Sequence, residues 1–140
     1  MTYRLLSLDN PTPEDREAIG APLRVYNRDK GPPTERLPVA ILLQDERGQT
    51  IGGLWGSTMF DWLYVDMLVV PESMRGQDVG TALMHKAEAI ARERGCVGAW
   101  LDTFAFQARG FYERIGYSLF GEIPDHPVNS ARYFLSKRFA

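Results

Sequence analysis

The spacing of apolar and polar residues changes period along the chain, and each change marks an element. Tyr3–Leu8 reads as a short first strand, broken by Asn10-Pro11-Thr12-Pro13. Thr12 or Pro13 then opens a helix with Glu14, Asp15 and Glu17 in its first turn, where the helix dipole favours acids. That helix runs to about Arg28 and is closed by Lys30-Gly31-Pro32-Pro33. Val39, Ile41 and Leu43 alternate with Ala40 and Leu42, so Pro38–Asp45 is a strand. Asp45-Glu46-Arg47-Gly48 is hairpin-turn chemistry, and Ile51–Phe60 returns as a glycine-rich strand. After a second turn near Asp61, Trp62–Val70 is the fourth strand. Strict alternation puts Leu63, Val65, Met67 and Val69 on one face and Trp62, Tyr64, Asp66, Leu68 and Val70 on the other.

Pro71 stops that strand, and from Val79 the period becomes helical. Val79, Ala82, Leu83, Ala87 and Ile90 form an apolar stripe, with Thr81, His85, Glu88 and Arg92 opposite and Gly95 as C-cap. Val97–Thr103 is a fifth strand. Phe104, Ala108, Phe111 and Ile115 recur at helical spacing up to Gly116, and Tyr117–Ile123 and Ala131–Phe139 close the chain as strands. The order β-α-β-β-β-α-β-α-β-β predicts an α/β domain with a mixed, largely antiparallel sheet of about seven strands.

Composition narrows the class. A chain of 140 residues with 44% hydrophobic and 24% charged residues fits one globular domain. A net charge of -2 gives no basic field for nucleic acid. No stretch has the apolar length of a membrane span. One cysteine, Cys96, excludes an internal disulfide and fits a reducing, cytoplasmic setting, and Met1–Gly20 has no signal-peptide core. No His/Cys/Asp/Glu spacing suggests a metal site.

The chemistry concentrates in the middle. Strand, glycine-containing loop, helix is a general anion site, because the helix start offers free N–H groups and a favourable dipole. Val69-Val70-Pro71 followed by Arg75-Gly76-Gln77-Asp78-Val79-Gly80 resembles the coenzyme A pyrophosphate loop of the GNAT superfamily of N-acetyltransferases. Phe111-Tyr112-Glu113-Arg114-Ile115-Gly116-Tyr117 resembles the later helix-to-strand segment of the same superfamily. The ending is not a Walker A loop, since Gly-Lys-Ser/Thr is absent. The chain departs from the family at Asp78, where a glycine is usual, and at Ala105, where many relatives carry an asparagine.

The resemblance implies acetyl-CoA as co-substrate and an amine of a small molecule or peptide as acceptor. It implies that the fourth and fifth strands splay apart, with the backbone of Leu68, Val69 and Val70 pairing with the pantetheine arm and Arg75, Gly76, Gln77, Asp78, Val79, Gly80 and Thr81 holding the pyrophosphate. Tyr112 matches the position of the tyrosine that protonates the departing thiolate. Asp66, the only carboxylate within the fourth strand, is the candidate base, with Glu122 and Asp61 as rivals. Trp55, Trp62 and Tyr64 are candidates to line the acceptor cleft. Carboxylates at Asp61, Asp66, Glu122 and Asp125 would favour a cationic acceptor. A homodimer is compatible with this reading, and a coenzyme-binding sensor without turnover is the alternative that Asp78 and Ala105 keep open.

Overall fold

The computed structural model describes residues 1–140, which divide into two compact units, Met1–Thr34 and Glu35–Ala140. The first unit contains one helix, α1 (Pro13–Lys30). Its start is a reciprocal capping box: the Asp15 N–H donates to the Thr12 hydroxyl at 3.3 Å, and the Thr12 N–H donates to the Asp15 carboxylate at 2.8 Å. Pro13 sits in the first turn, where its missing N–H costs nothing. The strand expected over Tyr3–Leu8 does not form. A strand needs a partner for its backbone groups, this unit holds no other strand, and the adjacent Leu5 and Leu6 break the alternation.

The second unit is built on one six-stranded sheet: β1 (Leu37–Gln44), β2 (Thr50–Met59), β3 (Trp62–Val69), β4 (Gly98–Phe104), β5 (Ser118–Pro124) and β6 (Ala131–Arg138). Their order across the sheet is β1-β2-β3-β4-β6-β5. Six strands rather than about seven follow from the loss of the first. Every neighbouring pair is antiparallel except β3 with β4. Tight turns make the first two hairpins. The Asp45 carboxylate accepts from the Arg47 and Gln49 N–H groups at 2.9 and 3.0 Å. Phe60 and Asp61 both take positive φ, 48° and 67°, the mirror-type turn that matches strand twist.

A parallel step from β3 to β4 requires a crossover, and α2 (Val79–Glu93) supplies it. It packs on one face of the sheet, where Leu83, Met84, Ala87 and Ala91 join Leu54, Leu63, Val65, Leu101 and Leu135 in the core. The buried face is turned from the expected stripe, so Met84 and Glu88 point inward. The helix ends at Gly95, φ 83°, whose N–H donates to the Arg92 carbonyl at 3.0 Å while the Cys96 N–H donates to the Ala91 carbonyl at 2.9 Å. Cys96 is buried beyond this cap. A short helix, α3 (Arg109–Arg114), connects β4 to β5.

The strict alternation expected for Trp62–Val70 fails halfway. A β-bulge shifts the register, with Trp55 opposite Met67 but Gly56 opposite Val65, which leaves Asp66 as the extra residue. The inserted residue reverses the two faces beyond it. Leu68 and Val70 pack toward the core with Leu63 and Val65, whereas Met67 and Val69 are exposed.

Glu88 was expected on the polar helix face and is instead 1% exposed. It accepts from the Tyr117 hydroxyl at 2.8 Å and from Lys137 Nζ at 2.9 Å, and Lys137 also donates to the Ile115 carbonyl at 3.0 Å. One carboxylate thus ties α2 to the end of α3 and to β6. Removing one partner of a buried ion pair leaves an uncompensated charge. Glu88→Ala should therefore lower unfolding free energy by about 3–5 kcal/mol in urea titrations. Glu88→Leu combined with Lys137→Met should recover much of that loss.

Candidate active site

β3 and β4 pair only from Trp62 to Val65 against Gly98 to Leu101. Beyond Val65, β3 keeps its bonds to β2 through Leu68 and Val69, opposite Leu54 and Gly53. β4 keeps its bonds to β6, with Asp102, Thr103 and Phe104 opposite Phe134, Tyr133 and Arg132. The facing edges therefore part at Asp66 and Asp102. The gap between them exposes unpaired backbone groups of Asp66–Val69, in the middle of the sheet.

The open end of the gap leads through the turn Glu72–Met74 into the start of α2. The first helical bond is from the Ala82 N–H to the Asp78 carbonyl, and no N–H group from Gly76 to Thr81 makes a close, well-aligned hydrogen bond within the protein. Asp78 stands at the N-cap position, yet its backbone is left-handed (φ 60°, ψ 21°) and its carboxylate caps nothing. A carboxylate that capped the helix would occupy the donors an anion needs. Gly76, φ 81°, turns the chain into this loop. Gly80 answers a different demand: a Cβ there would lie 3.1 Å from the Phe111 ring, so this glycine lets α3 approach α2. Gly80 and Thr81 thus lie in the first turn of α2, and Gly80 also serves packing.

Tyr112 lies on α3 with its ring buried between Phe111 and Tyr117. Its hydroxyl makes no hydrogen bond inside the protein, and no fully buried side-chain oxygen is without a partner, so the hydroxyl reaches solvent. Burial, and secondarily the charge of Asp102, push its pKa up to about 12. Asp102 itself is held firmly. It accepts from Arg132 Nε and Nη2 at 2.9 and 2.6 Å and from the Tyr64 hydroxyl at 3.2 Å. Burial first, then Asp102, raise the pKa of Tyr64 as well. Tyr64 also stacks on Trp100, with ring centroids 4.4 Å apart.

The face of the sheet opposite α2 carries a cavity of about 220 Å³ next to the gap, lined by Arg36, Pro38, Trp55, Gly56, Ser57, Tyr64 and Asp66. Trp55, Tyr64 and Asp66, expected at the acceptor site, do converge there. Trp62 does not; it lines a second hollow with Trp100, Phe120 and Ser136. Asp61 lies in the hairpin turn at the far end of β3, where its carbonyl accepts from the Val97 N–H. Glu122 sits opposite Tyr133 on edge strand β5, which puts it on the α2 face. Asp125 is in the β5–β6 turn, accepting from the Asn129 N–H at 3.2 Å. The expected ring of carboxylates therefore reduces to Asp66. Asp66 is also exposed on its bulge, not lodged among apolar neighbours. Sequence reasoning missed Arg36, Asp102 and Arg132. Arg36 carried no signal, while Asp102 and Arg132 lie 30 residues apart and meet only through the β4–β6 register.

The profile of the acetyltransferase (GNAT) family matches residues 2–117. The chain belongs to the GNAT acetyltransferase family. Among curated relatives of this GNAT protein, blasticidin-S acetyltransferase of Streptomyces morookaense is 46% identical over 93 residues, 66% of this chain and 68% of that one. An acetyltransferase of Agrobacterium fabrum (strain C58) is 37% identical over 126 residues, 90% of this chain and 92% of that one. The crystal structure of an acetyltransferase from Agrobacterium tumefaciens superposes with a TM-score of 0.91 at 35% identity, covering 98% of this chain and all (100%) of that one. An acetyltransferase from Bacillus cereus superposes at 0.84 and 34% identity, covering 96% and 98%.

The buried tyrosines of this GNAT domain make a pH signature. Tyr117 is raised by burial and then by the Glu88 carboxylate, and Tyr112 as above. In the unfolded chain a tyrosine loses its proton near pH 10. A raised folded pKa means that the native state holds the proton longer, so the stabilisation is complete below about pH 10 and is lost as pH rises. Stability should fall above pH 10 by about 1.4 kcal/mol per pH unit for each such tyrosine. For Tyr112 the fall continues to about pH 12. Urea titrations at alkaline pH should show the fall, and Tyr112→Phe should reduce its slope by one tyrosine's share.

Proposed function

We propose that the protein transfers the acetyl group of acetyl-CoA to an amine of a small molecule. The observation that carries this reading is the continuity of two unsatisfied surfaces. The free edge of Asp66–Val69 leads directly to the unbonded N–H groups of Gly76–Thr81. A peptide-like arm ending in a pyrophosphate satisfies both, the arm by strand-type pairing and the anion by the helix start. The backbone groups of Leu68, Val69 and Val70 serve the arm, and Arg75, Gly76, Gln77, Asp78, Val79, Gly80 and Thr81 the pyrophosphate. Acetyl-CoA supplies the activated thioester. The name of the blasticidin-S enzyme supports an acceptor of small-molecule size.

The chain's own groups then divide the work. Asp66, exposed beside the gap, holds the acceptor ammonium and takes its proton directly or through water, because an amine with a reference pKa of about 10.4 is mostly protonated at neutral pH. The free nitrogen attacks the thioester carbonyl carbon. A backbone N–H of the β3 edge faces the oxygen on which charge develops. As the carbon–sulfur bond breaks, Tyr112 donates its phenolic proton to the departing thiolate. A pKa of about 12 keeps that proton in place at every working pH. The Asp102–Arg132 pair fixes Tyr64 at the mouth of the gap.

Release of free coenzyme A thiol with a panel of small amines tests the transfer. Tyr112→Phe should lower kcat by about 10- to 1000-fold, reaching into the range of general-acid catalysis, with little change in the KM for acetyl-CoA. A variant with wild-type kcat, measured where chemistry limits the rate, would overturn the assignment of Tyr112.

A further inference from the structure

Of the charged side chains around the 220 Å³ cavity, two have no charged partner. Asp66 makes neither a hydrogen bond nor an ion pair. Arg36, from the segment entering β1, spends one donor on the Ser57 hydroxyl at 3.3 Å and meets no carboxylate. The other ionised pair on this face is self-contained, since Arg132 closes on Asp102 with two hydrogen bonds to one oxygen. An entering molecule therefore meets one free anion, one free cation and two aromatic walls, Trp55 and Tyr64.

We propose that the acceptor is amphoteric: it brings an anionic group, a carboxylate or phosphate, to Arg36 as well as the reacting amine to Asp66. The proposal rests on the transferase reading above and adds the substrate's charge pattern to it. It replaces the purely cationic acceptor that four converging carboxylates would have favoured, because only one of them reaches the cavity. A polycation would satisfy Asp66 and be repelled by Arg36. A dianion would be repelled by Asp66. A molecule with both signs gains from both groups, and the planar guanidinium fork matches two oxygens of a carboxylate or phosphate. Arg36 is then a specificity-determining residue for the acceptor.

The experiment compares acceptors that differ only in the anion. L-lysine, γ-aminobutyrate and glucosamine 6-phosphate are assayed by thiol release beside L-lysinamide, 4-aminobutanamide and glucosamine, and any further acceptor found in a screen is assayed beside its amide or ester. The anionic member of each productive pair should have the higher kcat/KM, by about 10-fold, the scale of one hydrogen bond to a charged group. Arg36→Gln should bring the ratio close to one, and Arg36→Lys should restore part of it. Arg36 is exposed at the surface, so neither change threatens the fold, and the KM for acetyl-CoA checks that the coenzyme half is intact. Equal rates within pairs, a preference for the neutral member, or a preference that survives Arg36→Gln would overturn the amphoteric acceptor while leaving the transferase reading standing. Absence of turnover with every amine would overturn the transferase reading and this inference together.

Discussion

Everything distinctive in this domain depends on the shortness of one strand pairing. β3 and β4 share four residue pairs and then separate. Parallel neighbours in a sheet normally continue side by side, because an unbonded N–H or carbonyl away from water is costly. Here each strand is instead held by its other neighbour, β3 by β2 and β4 by β6, so the gap opens without unravelling either half of the sheet. The bulge at Asp66 sits at the fork. An extra residue on one strand bends it and increases its local twist, which turns the β3 edge away from β4 where pairing stops.

At the closed end of the fork the packing leaves no room for a side chain. Gly98 meets the Trp62 ring and the Lys137 carbonyl so closely that any side chain would collide, with a Cβ at 2.6 Å from each. The strands are thus locked at their first pair. On the α2 side, Glu88 gathers Tyr117 and Lys137 and ties the crossover helix to the elements that carry Tyr112. Tyr112 packs edge-on against Tyr117, so the same carboxylate that holds the core also fixes the ring whose hydroxyl reaches solvent. Buried charge is a poor source of net stability, yet removing one partner is costly because it leaves the other uncompensated.

Much of this was legible in the sequence, for reasons that differ by element. The α2 segment could be read because its period and its glycine cap are local signals, and the glycine-containing loop before it because its residues are contiguous. The reversal of faces at Asp66 could not, since a bulge depends on the register against β2 and strict alternation hides it. The stripe on α2 failed at Glu88 for a related reason. A glutamate is assigned to water unless its partners are known, and Tyr117 and Lys137 lie 29 and 49 residues away. Asp61 and Glu122 were sound as residue types and wrong as places: five residues along a strand span roughly 17 Å, and a sheet has two faces. Arg36 illustrates the opposite error, a surface arginine with no motif around it that the β1–β2 pairing sets beside Ser57.

The residue that looked least suited to the coenzyme loop also finds its explanation in backbone geometry. A glycine is usual in this family where the chain has Asp78, and the structure shows why: the backbone there is left-handed. Aspartate is among the few other residues that visit this region, at a cost of about 1–2 kcal/mol. The same conformation stops it from acting as a helix cap, because a capping side chain requires an extended backbone to reach the N–H groups of the first turn. An aspartate in extended conformation would have filled the donors and repelled a pyrophosphate. In the left-handed conformation it forgoes the cap, and the N–H groups of Gly76–Thr81 stay free. The aspartate therefore costs the loop stability rather than free donors, and one of the two departures that kept a domain without turnover open, Asp78 beside Ala105, is compatible with a coenzyme site.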